Sequence, residues 1–366
     1  MSHMIDETTG RPAIAYVGAT PWHGLGTNLL PGQPISDWAS AAGLAHDVLR
    51  TPVTYARAPL DDEDGPSPIG TCSDPELRFA TMGDRDVLYR SDTGDALSVV
   101  SKGYKIVQPR EVLDFFAKLA EIGGFDLETA GALSGGRRIW GLAKVNDGAP
   151  VVGQDIVRPY VLLATSYDGT LATTAKFTAI RVVCHNTLTM SVGASASETG
   201  FAQSKAESDT EGRAVSSLVR IPHSITFDPD AVRLQLGIVK SVFEKWLVET
   251  AILSERKLDD GQFDRFVEKL LAPLHPKEIR GKPTKPITEG KPFGRIKSIY
   301  DGEMIGGDLA GAGNRWRALN AVTQWADYER GRSPNSRLEG AWFGVGDTIK
   351  TRAFNLLSSS EEFATA

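Results

Sequence analysis

Short runs of strand-forming residues, separated by turns that contain glycine, aspartate or proline, recur between residues 86 and 177. Each run is rich in β-branched or aromatic residues and is only a few residues long, as strands are. Short links between them favour antiparallel neighbours, because parallel strands need long crossover connections. The predicted strands are DVLYR, ALSVV, YKIV, FDLETAGAL, RRIWGLAKV, PYVLLATS and TLATTAKF.

A single helical pattern interrupts this series. It opens at Gln108-Pro109, and its charged residues recur every three or four positions in REVLDFFAKLAEIGG, which leaves an apolar stripe to pack on a sheet. The order of hairpin, helix and three to four strands predicts an α+β protein with a mainly antiparallel sheet packed by helices. The following stretch, IRVVCHNTLTMSVGASAS, fits either a buried helix or another strand, since periodicity does not separate the two.

Changes in composition along the chain suggest how it is organised. The segment DDEDGPSP is too polar and too broken by proline and glycine to pack, whereas Asp228-Pro229 begins a series of helical patterns. The predicted regions are an N-terminal arm (1–58), an acidic loop (59–85), an α+β sheet core (86–193), a connector (194–227) and a helical C-terminal region (228–366) with a basic, proline-punctuated loop (276–297).

Composition limits the classes of function. The chain has 366 residues with Lys+Arg 40 against Asp+Glu 46, a net charge of −6, so the whole molecule has no electrostatic attraction for nucleic acid. Two isolated cysteines, Cys72 and Cys184, predict neither a disulfide framework nor a zinc site. The sequence shows no signal-peptide pattern and no long apolar span, which predicts a cytoplasmic protein without a membrane segment.

Few residues have the pattern of a catalytic site. His23 lies in TPWHGLG, where it is interpreted as part of a segment that docks through Trp22. Cys184-His185-Asn186 contains the residue types of a thiolate–imidazole pair, but adjacent side chains point in different directions and cannot form the required line of hydrogen bonds. Cys184 is therefore interpreted as a core residue. No catalytic residue, cofactor or metal site is predicted.

Cations are concentrated locally despite the acidic total. Ten Lys or Arg face eight acids between Val100 and His185, and seven face two between Lys277 and Lys297. Such segregation suits a groove for single-stranded nucleic acid, although surface charges also cluster by chance. Tyr104, Trp140, Tyr160, Tyr167 and Phe177 lie among these cations as stacking residues or as core. The predicted nucleic-acid-binding residues are Lys102, Lys105, Arg137, Arg138, Lys176, Arg181, Lys282 and Lys285.

Three motifs support a resemblance to a known family: TPWHGLG, RVVCHNTL (181–188) and the pair NAVTQWADYERG and LEGAWFGVGDTIKTRA. Their order and spacing resemble the phage- and plasmid-borne family called domain of unknown function 932 over nearly the whole chain. The resemblance implies a gene of mobile elements, where DNA replication, recombination and defence are common tasks. More loosely, the hairpin, helix and strands resemble the core of Rad52-like single-strand annealing proteins, which is an argument from fold alone.

The leading hypothesis is a DNA-metabolism protein that binds single-stranded DNA without sequence preference, promotes annealing, performs no covalent chemistry and forms a homo-oligomer. One alternative is an enzyme acting on nucleotides or nucleic acid, with a site assembled from scattered residues such as His23, His185 and Asn186. A second alternative is a virion or host-interaction protein in which the tryptophan-rich C-terminal motifs form the partner surface.

Overall fold

The computed structural model describes residues 5–18, 25–57, 78–122, 125–183, 186–189, 207–208, 214–215, 218–228, 230, 232, 239–276, 278–279, 282–331, 340–342 and 344–359. A nine-stranded sheet is its largest element. The strands of this sheet are β1 (Ile14–Val17), β2 (Thr27–Leu29), β6 (Asp126–Leu133), β7 (Arg138–Lys144), β8 (Ala149–Val152), β9 (Asp155–Ser166), β10 (Thr173–Arg181), β11 (Asn186–Thr189) and β14 (Leu218–Ile221). Two short strands, β12 (Glu207–Ser208) and β13 (Ala214–Val215), pair with each other in a separate sheet.

The order across this sheet is β11-β10-β9-β7-β6-β1-β2, with β8 beside β9 and β14 beside β10. Every pair in it is antiparallel except β1 and β2. Successive strands from β6 to β10 are joined by short turns, which permit antiparallel neighbours. The predicted α+β class with a mainly antiparallel sheet is confirmed. In the stretch that fitted either helix or strand, residues 186–189 form a strand.

A second, three-stranded sheet contains β3 (Val48–Arg57), β4 (Arg78–Arg90) and β5 (Ala96–Ser101). Its hairpin was predicted, and Val87 pairs with Val99 across the turn 91–95. The predicted strand YKIV is wrong. The Arg50 guanidinium donates to the carbonyl oxygens of Lys102 and Tyr104. These two carbonyl groups are therefore hydrogen-bonded to a side chain instead of a neighbouring strand.

The outer part of β3 and β4 extends beyond β5 as a two-stranded ribbon. Neighbouring residues Thr54, Tyr55 and Ala56 are all exposed, and residues 81–85 on the partner strand are exposed too. Because adjacent strand residues point to opposite faces, both faces of this ribbon contact solvent. The segment interpreted as an N-terminal arm thus contributes β1 and β2 to the large sheet and β3 to the ribbon.

Helix α1 (Ile35–Ala41) and helix α2 (Pro109–Ile122) lie on one face of the large sheet. The predicted apolar stripe of α2 is buried: Val112, Phe115, Phe116 and Leu119 are each almost fully inaccessible to solvent. At Gly141 of β7, a Cβ atom would collide with the Phe116 ring. The close approach of α2 to the sheet therefore requires glycine at this position.

The C-terminal part is helical, as predicted, with four further elements after a long helix. The helices are α3 (Val239–Glu255), α4 (Asp260–Leu271), α5 (Lys291–Ser298), α6 (Arg315–Gln324) and α7 (Val345–Ser358). Helix α4 begins with a capping box in which the Asp259 carboxylate accepts from the backbone of Gln262 and the Gln262 side chain accepts from that of Asp259. Helices α5 and α6 each end in a π turn, Ile299–Glu303 and Trp325–Glu329.

The basic loop is shorter than predicted. Within 276–297, β15 (Glu278–Ile279) pairs with β16 (Lys282–Pro283), and α5 already begins at Lys291. Pro292 stands in the first turn of α5, where its missing N–H costs no hydrogen bond, and Phe293 and Ile296 are buried. Proline punctuation therefore marked a helix start in addition to a loop.

One apolar cluster continues from the large sheet into the C-terminal helices. It includes Val161 of β9, Phe177 of β10, Trp246 of α3 and Trp316 of α6. A second cluster covers the opposite face of the sheet, where Trp140 of β7 packs edge-on against Trp342 with ring centroids 4.9 Å apart. Among the residues described, no helix combines the length and apolar character needed to cross a membrane.

Candidate functional site

Three of the eight predicted contact residues, Lys105, Arg137 and Arg138, lie around the turn between β9 and β10, residues 167–172, and Lys102 lies on the loop that carries Lys105. We call Lys102, Lys105, Arg137 and Arg138 the turn cluster. Lys102, Lys105 and Arg137 are exposed, whereas Arg138 is half-buried. The Tyr167 backbone donates to the Arg137 carbonyl oxygen at 2.8 Å, which places the start of β7 beside this turn. Residues from three separate parts of the sequence are thereby brought to one side of the sheet.

The loop that carries Lys102 and Lys105 is fixed at several points. The Arg50 guanidinium donates to the Tyr104 carbonyl oxygen at 2.6 Å, and the Tyr104 hydroxyl donates to the Ser166 carbonyl oxygen. The Lys105 backbone N–H donates to the His223 carbonyl oxygen at 2.5 Å. The backbone of this loop is therefore held while the two ammonium groups face solvent.

Arg138 is partly neutralised within the turn. Its guanidinium donates to the Thr170 hydroxyl at 2.6 Å and lies 3.9 Å from the Asp168 carboxylate. Burial raises the pKa of the Asp168 carboxyl, but hydrogen bonds from Thr170 and Ser166 and the nearby Arg138 outweigh this effect. The pKa of Asp168 is therefore below its ordinary value. For Lys102, Lys105 and Arg137, no carboxylate in the described part of the chain lies within ion-pair distance.

Arg181 is placed differently. Its Nε lies 2.7 Å from Asp155 Oδ1, with both side chains fully buried, and its two terminal nitrogens donate to the carbonyl oxygens of Ile305 and Gly306. The Trp316 indole donates to the other Asp155 oxygen at 2.8 Å. Arg181 thus pairs with the neighbouring strand β9 and also binds the C-terminal region, so it has a structural role here and does not face solvent.

Lys176 is also buried, on the opposite face of β10. Its ammonium donates to Asp347 Oδ1 at 2.8 Å and to the Trp342 carbonyl oxygen, and Lys350 Nζ donates to Asp327 Oδ1 at 2.8 Å. Burial lowers the pKa of Lys176, against the opposing effect of Asp347. Asp327, Trp342, Asp347 and Lys350 come from the two late recognition motifs, which the fold brings together around Lys176.

The remaining two predicted contacts lie away from the turn cluster. Lys285 is exposed, and its carbonyl oxygen lies 2.9 Å from the Nε2 atom of the His275 ring. The backbone of Lys282 is in β16, and its side chain lies outside the described residues.

The aromatic residues among the cations are core residues. Tyr104, Trp140, Tyr160, Tyr167 and Phe177 are all less than a tenth exposed. The hydroxyls of Tyr160 and Tyr167 donate to Glu128 and to the Val107 carbonyl oxygen, both at 2.9 Å. These rings are consequently not free to stack on bases, and the core interpretation is the correct one.

The histidine and cysteine candidates for catalysis lie almost entirely outside the described residues. Trp22, His23, Cys184 and His185 lie outside the described residues, and only the backbone of Asn186 is described, where it pairs with Arg181. Within the described ranges, no group of three or more histidine, cysteine or acidic side chains is arranged to hold a metal ion.

The sequence was compared with known families, curated proteins and solved structures. The family described as Domain of unknown function (DUF932) matches residues 96–202 and 210–342, about two thirds of the chain. The chain belongs to the DUF932 family. No curated protein and no solved structure matches the sequence. In this DUF932 protein the matched ranges include the whole turn cluster, whereas β1 to β4 lie before them.

One charged cluster of this DUF932 protein was missed by the sequence analysis. Arg90 is fully buried and pairs with Asp6 and with Asp92, the latter at 2.8 Å. Beside it lies His46, which is buried and has no hydrogen-bond partner on either ring nitrogen among the described residues. Burial and the positive Arg90 lower the pKa of His46. Asp6, His46 and the predicted hairpin that carries Arg90 and Asp92 are far apart in sequence, so no local sequence signal joins them.

Proposed function

We propose that this DUF932 protein binds single-stranded DNA without sequence preference, through its turn cluster, in the DNA metabolism of phages or plasmids. The observation that supports the proposal is the grouping of Lys102, Lys105 and Arg137. Lys102 and Lys105 come from one loop and Arg137 from another, and none of the three exposed cations has a carboxylate partner among the described residues. Backbone phosphates are neutralised by such local cations, whatever the net charge of the protein.

The proposed contact set is narrower than the eight residues predicted from sequence. Lys176 and Arg181 are assigned to internal ion pairs, because both side chains are buried beside their carboxylate partners. Arg138 is a weaker contributor, since Asp168 and Thr170 already occupy its guanidinium. The buried aromatic residues supply no stacking platform, which favours binding through phosphates over binding through bases. Bases left exposed in this way remain available for pairing, as strand annealing requires.

The phage or plasmid setting and the annealing activity rest on the sequence motifs and on the looser likeness to Rad52-like proteins. Annealing also needs a groove longer than the turn cluster of one chain. We therefore propose a homo-oligomer in which successive turn clusters follow one strand.

The test is a salt titration of single-strand binding, by fluorescence anisotropy with a labelled oligothymidine. Wild type should lose affinity steeply with salt. The triple variant Lys102→Ala, Lys105→Ala, Arg137→Ala should bind weakly and reduce the salt slope by about 2, since each phosphate contact contributes ~0.7 on single strands. The matched control is Lys282→Ala with Lys285→Ala, which removes two cations from the other basic segment.

Each result has a defined meaning. A normal slope in the control variant and a reduced slope in the triple variant support the turn cluster. The reverse pattern would move the interface to residues 276–290. A wild-type protein without measurable affinity at low salt would exclude the proposed function.

A second candidate, an enzyme acting on nucleotides or nucleic acid, is favoured by one observation. Lys176, Lys350, Asp327 and Asp347 form two buried ion pairs within the late recognition motifs, and burial lowers the pKa of Lys176. A desolvated lysine is a suitable general base. Turnover of nucleoside triphosphates or single-stranded oligonucleotides that Lys176→Met abolishes, in a variant that remains folded, would support this alternative.

A further inference from the structure

His223 lies beside the turn cluster and joins two of its segments. Its Nδ1 is 3.3 Å from the Lys105 carbonyl oxygen, and its Nε2 is 3.0 Å from the Leu171 carbonyl oxygen. The ring stacks on Tyr104, with centroids 4.4 Å apart and planes at 17°. The imidazole therefore connects the loop that carries Lys105 with the turn between β9 and β10.

The chemistry of these two contacts depends on protonation. A carbonyl oxygen only accepts hydrogen bonds, and a neutral imidazole has one N–H, so it can donate to only one of the two carbonyls. The second ring nitrogen would then direct a lone pair at an oxygen. In the imidazolium form both nitrogens carry hydrogen, and both contacts become hydrogen bonds.

We propose that His223 in its imidazolium form is a further cationic member of the turn cluster, and that its protonation couples single-strand binding to pH. The inference rests on the proposed function, and it adds a residue and a regulation to the same site. A phosphate bound beside Lys105 would be attracted by the additional positive charge. By linkage, a ligand that prefers the protonated form binds more tightly as protons are added.

The surrounding charges act in both directions. The charged residues on the elements around His223 are Lys102 and Lys105 on the neighbouring loop, Arg220 on β14 and Asp168 in the turn. Burial raises the pKa of the stacked Tyr104 hydroxyl, which therefore stays neutral. A bound phosphate would offset the repulsion from the lysines. Binding of a single strand should accordingly stabilise the imidazolium.

Histidine changes its charge between about pH 5 and 8, so affinity for a single strand should rise as pH falls through this range. We expect an increase of roughly tenfold, which corresponds to ~1.4 kcal/mol. His223→Gln keeps a hydrogen-bond donor in its amide NH2 group but cannot become charged, so its affinity should depend only weakly on pH.

The experiment measures binding of a labelled oligothymidine between about pH 5.5 and 8 at constant ionic strength, because thymine bases and phosphates do not titrate there. Wild type is compared with His223→Gln and with His275→Gln, whose histidine makes one carbonyl contact in the other basic segment. The inference expects the increase in wild type and His275→Gln but not in His223→Gln. An equal increase in wild type and His223→Gln overturns it.

A measurement without DNA separates this inference from the proposed function. Nitrogen NMR of the histidine rings reports whether both His223 nitrogens become protonated as pH falls, with or without a single strand present. Absence of DNA binding at every pH would overturn the proposed function, even if the ring protonates as expected. Binding to DNA with a His223 ring that stays neutral throughout the range would overturn the inference alone.

Discussion

Arg181 and Arg137 are the same residue type in opposite environments, which gives a direct test of the buried ion pair. Arg181→Met should lower the free energy of unfolding by about 3–5 kcal/mol, because Asp155 would remain buried without its cation. The measurement is urea denaturation followed by circular dichroism. Arg137→Met, at an exposed position, should change stability by less than ~0.5 kcal/mol. Equal stability of the two variants would contradict the assignment of Arg181 to the core.

The buried His46 predicts a loss of stability in mild acid. Its pKa is lowered by burial and by Arg90, with Asp92 and Asp6 opposing, so below the ordinary value of 6.5 the unfolded chain binds a proton that the folded chain does not. Stability should therefore fall as pH decreases from 6.5 toward the folded pKa. Tm measured at about pH 7.5 and about pH 5.5 should fall less in His46→Leu than in wild type. His275→Gln is the control and should keep the wild-type slope.

At the scale of single residues, the sequence does not predict the partners of charged side chains. Alternation along a strand predicts opposite faces for Arg137 and Arg138, but β7 begins at Arg138 and Arg137 lies in the turn before it. Alternation does not distinguish these two from Lys176 and Arg181, whose buried carboxylate partners are Asp347 and Asp155. Asp347 lies 171 residues from Lys176, and a local count of charges carries no information about such a partner.

Among the elements, the ribbon of β3 and β4 makes the clearest prediction. Because both of its faces are exposed, it should contribute little to the stability of the body. Replacement of residues 55–80 by Asn-Gly, which closes the paired residues Thr54 and Thr81 with a tight turn, should change the free energy of unfolding by less than ~1 kcal/mol. Urea denaturation measures this change.

A second shortened hairpin gives a comparison in which a contact with the body is lost. Replacement of the turn residues 92–94 by Asn-Gly removes Asp92 from the Arg90 pair and should be clearly more destabilising than the ribbon deletion. If the ribbon deletion unfolds the protein, residues 55–80 make contacts with the body that the described residues do not include.

Elements with strong local patterns were predictable from sequence. Helix α2 combines an N-terminal proline with a regular apolar stripe, and the β4–β5 hairpin combines alternation with a turn. The failed strand at residues 104–107 has a physical cause: their composition is strand-like, but Arg50 binds the Tyr104 backbone. Residues 186–189, for which the sequence left helix and strand open, form a strand that pairs with β10.

For the whole molecule, the shared apolar cluster predicts that the sheet and the C-terminal helices fold together. Val161, Phe177, Trp246 and Trp316 belong to one cluster, and the Asp155–Arg181–Trp316 contacts cross the same boundary. Residues 1–227 and 228–366, expressed separately, should each lack a cooperative thermal transition. Calorimetry measures this, with the full chain as control. A cooperative transition in either fragment would show an independent domain.

The two buried cations of β10 also have a consequence for how the sheet assembles. Lys176 and Arg181 differ by an odd number of residues, so they lie on opposite faces of one strand, and each meets a carboxylate there. If β10 slipped by one residue against β9, both charges would enter apolar surroundings without partners. A strand whose other residues are mostly threonine and alanine has few other means of rejecting a shifted alignment. The two ion pairs therefore disfavour a shifted register of β10 against β9. Their removal should increase the amount of misfolded, aggregation-prone protein during refolding.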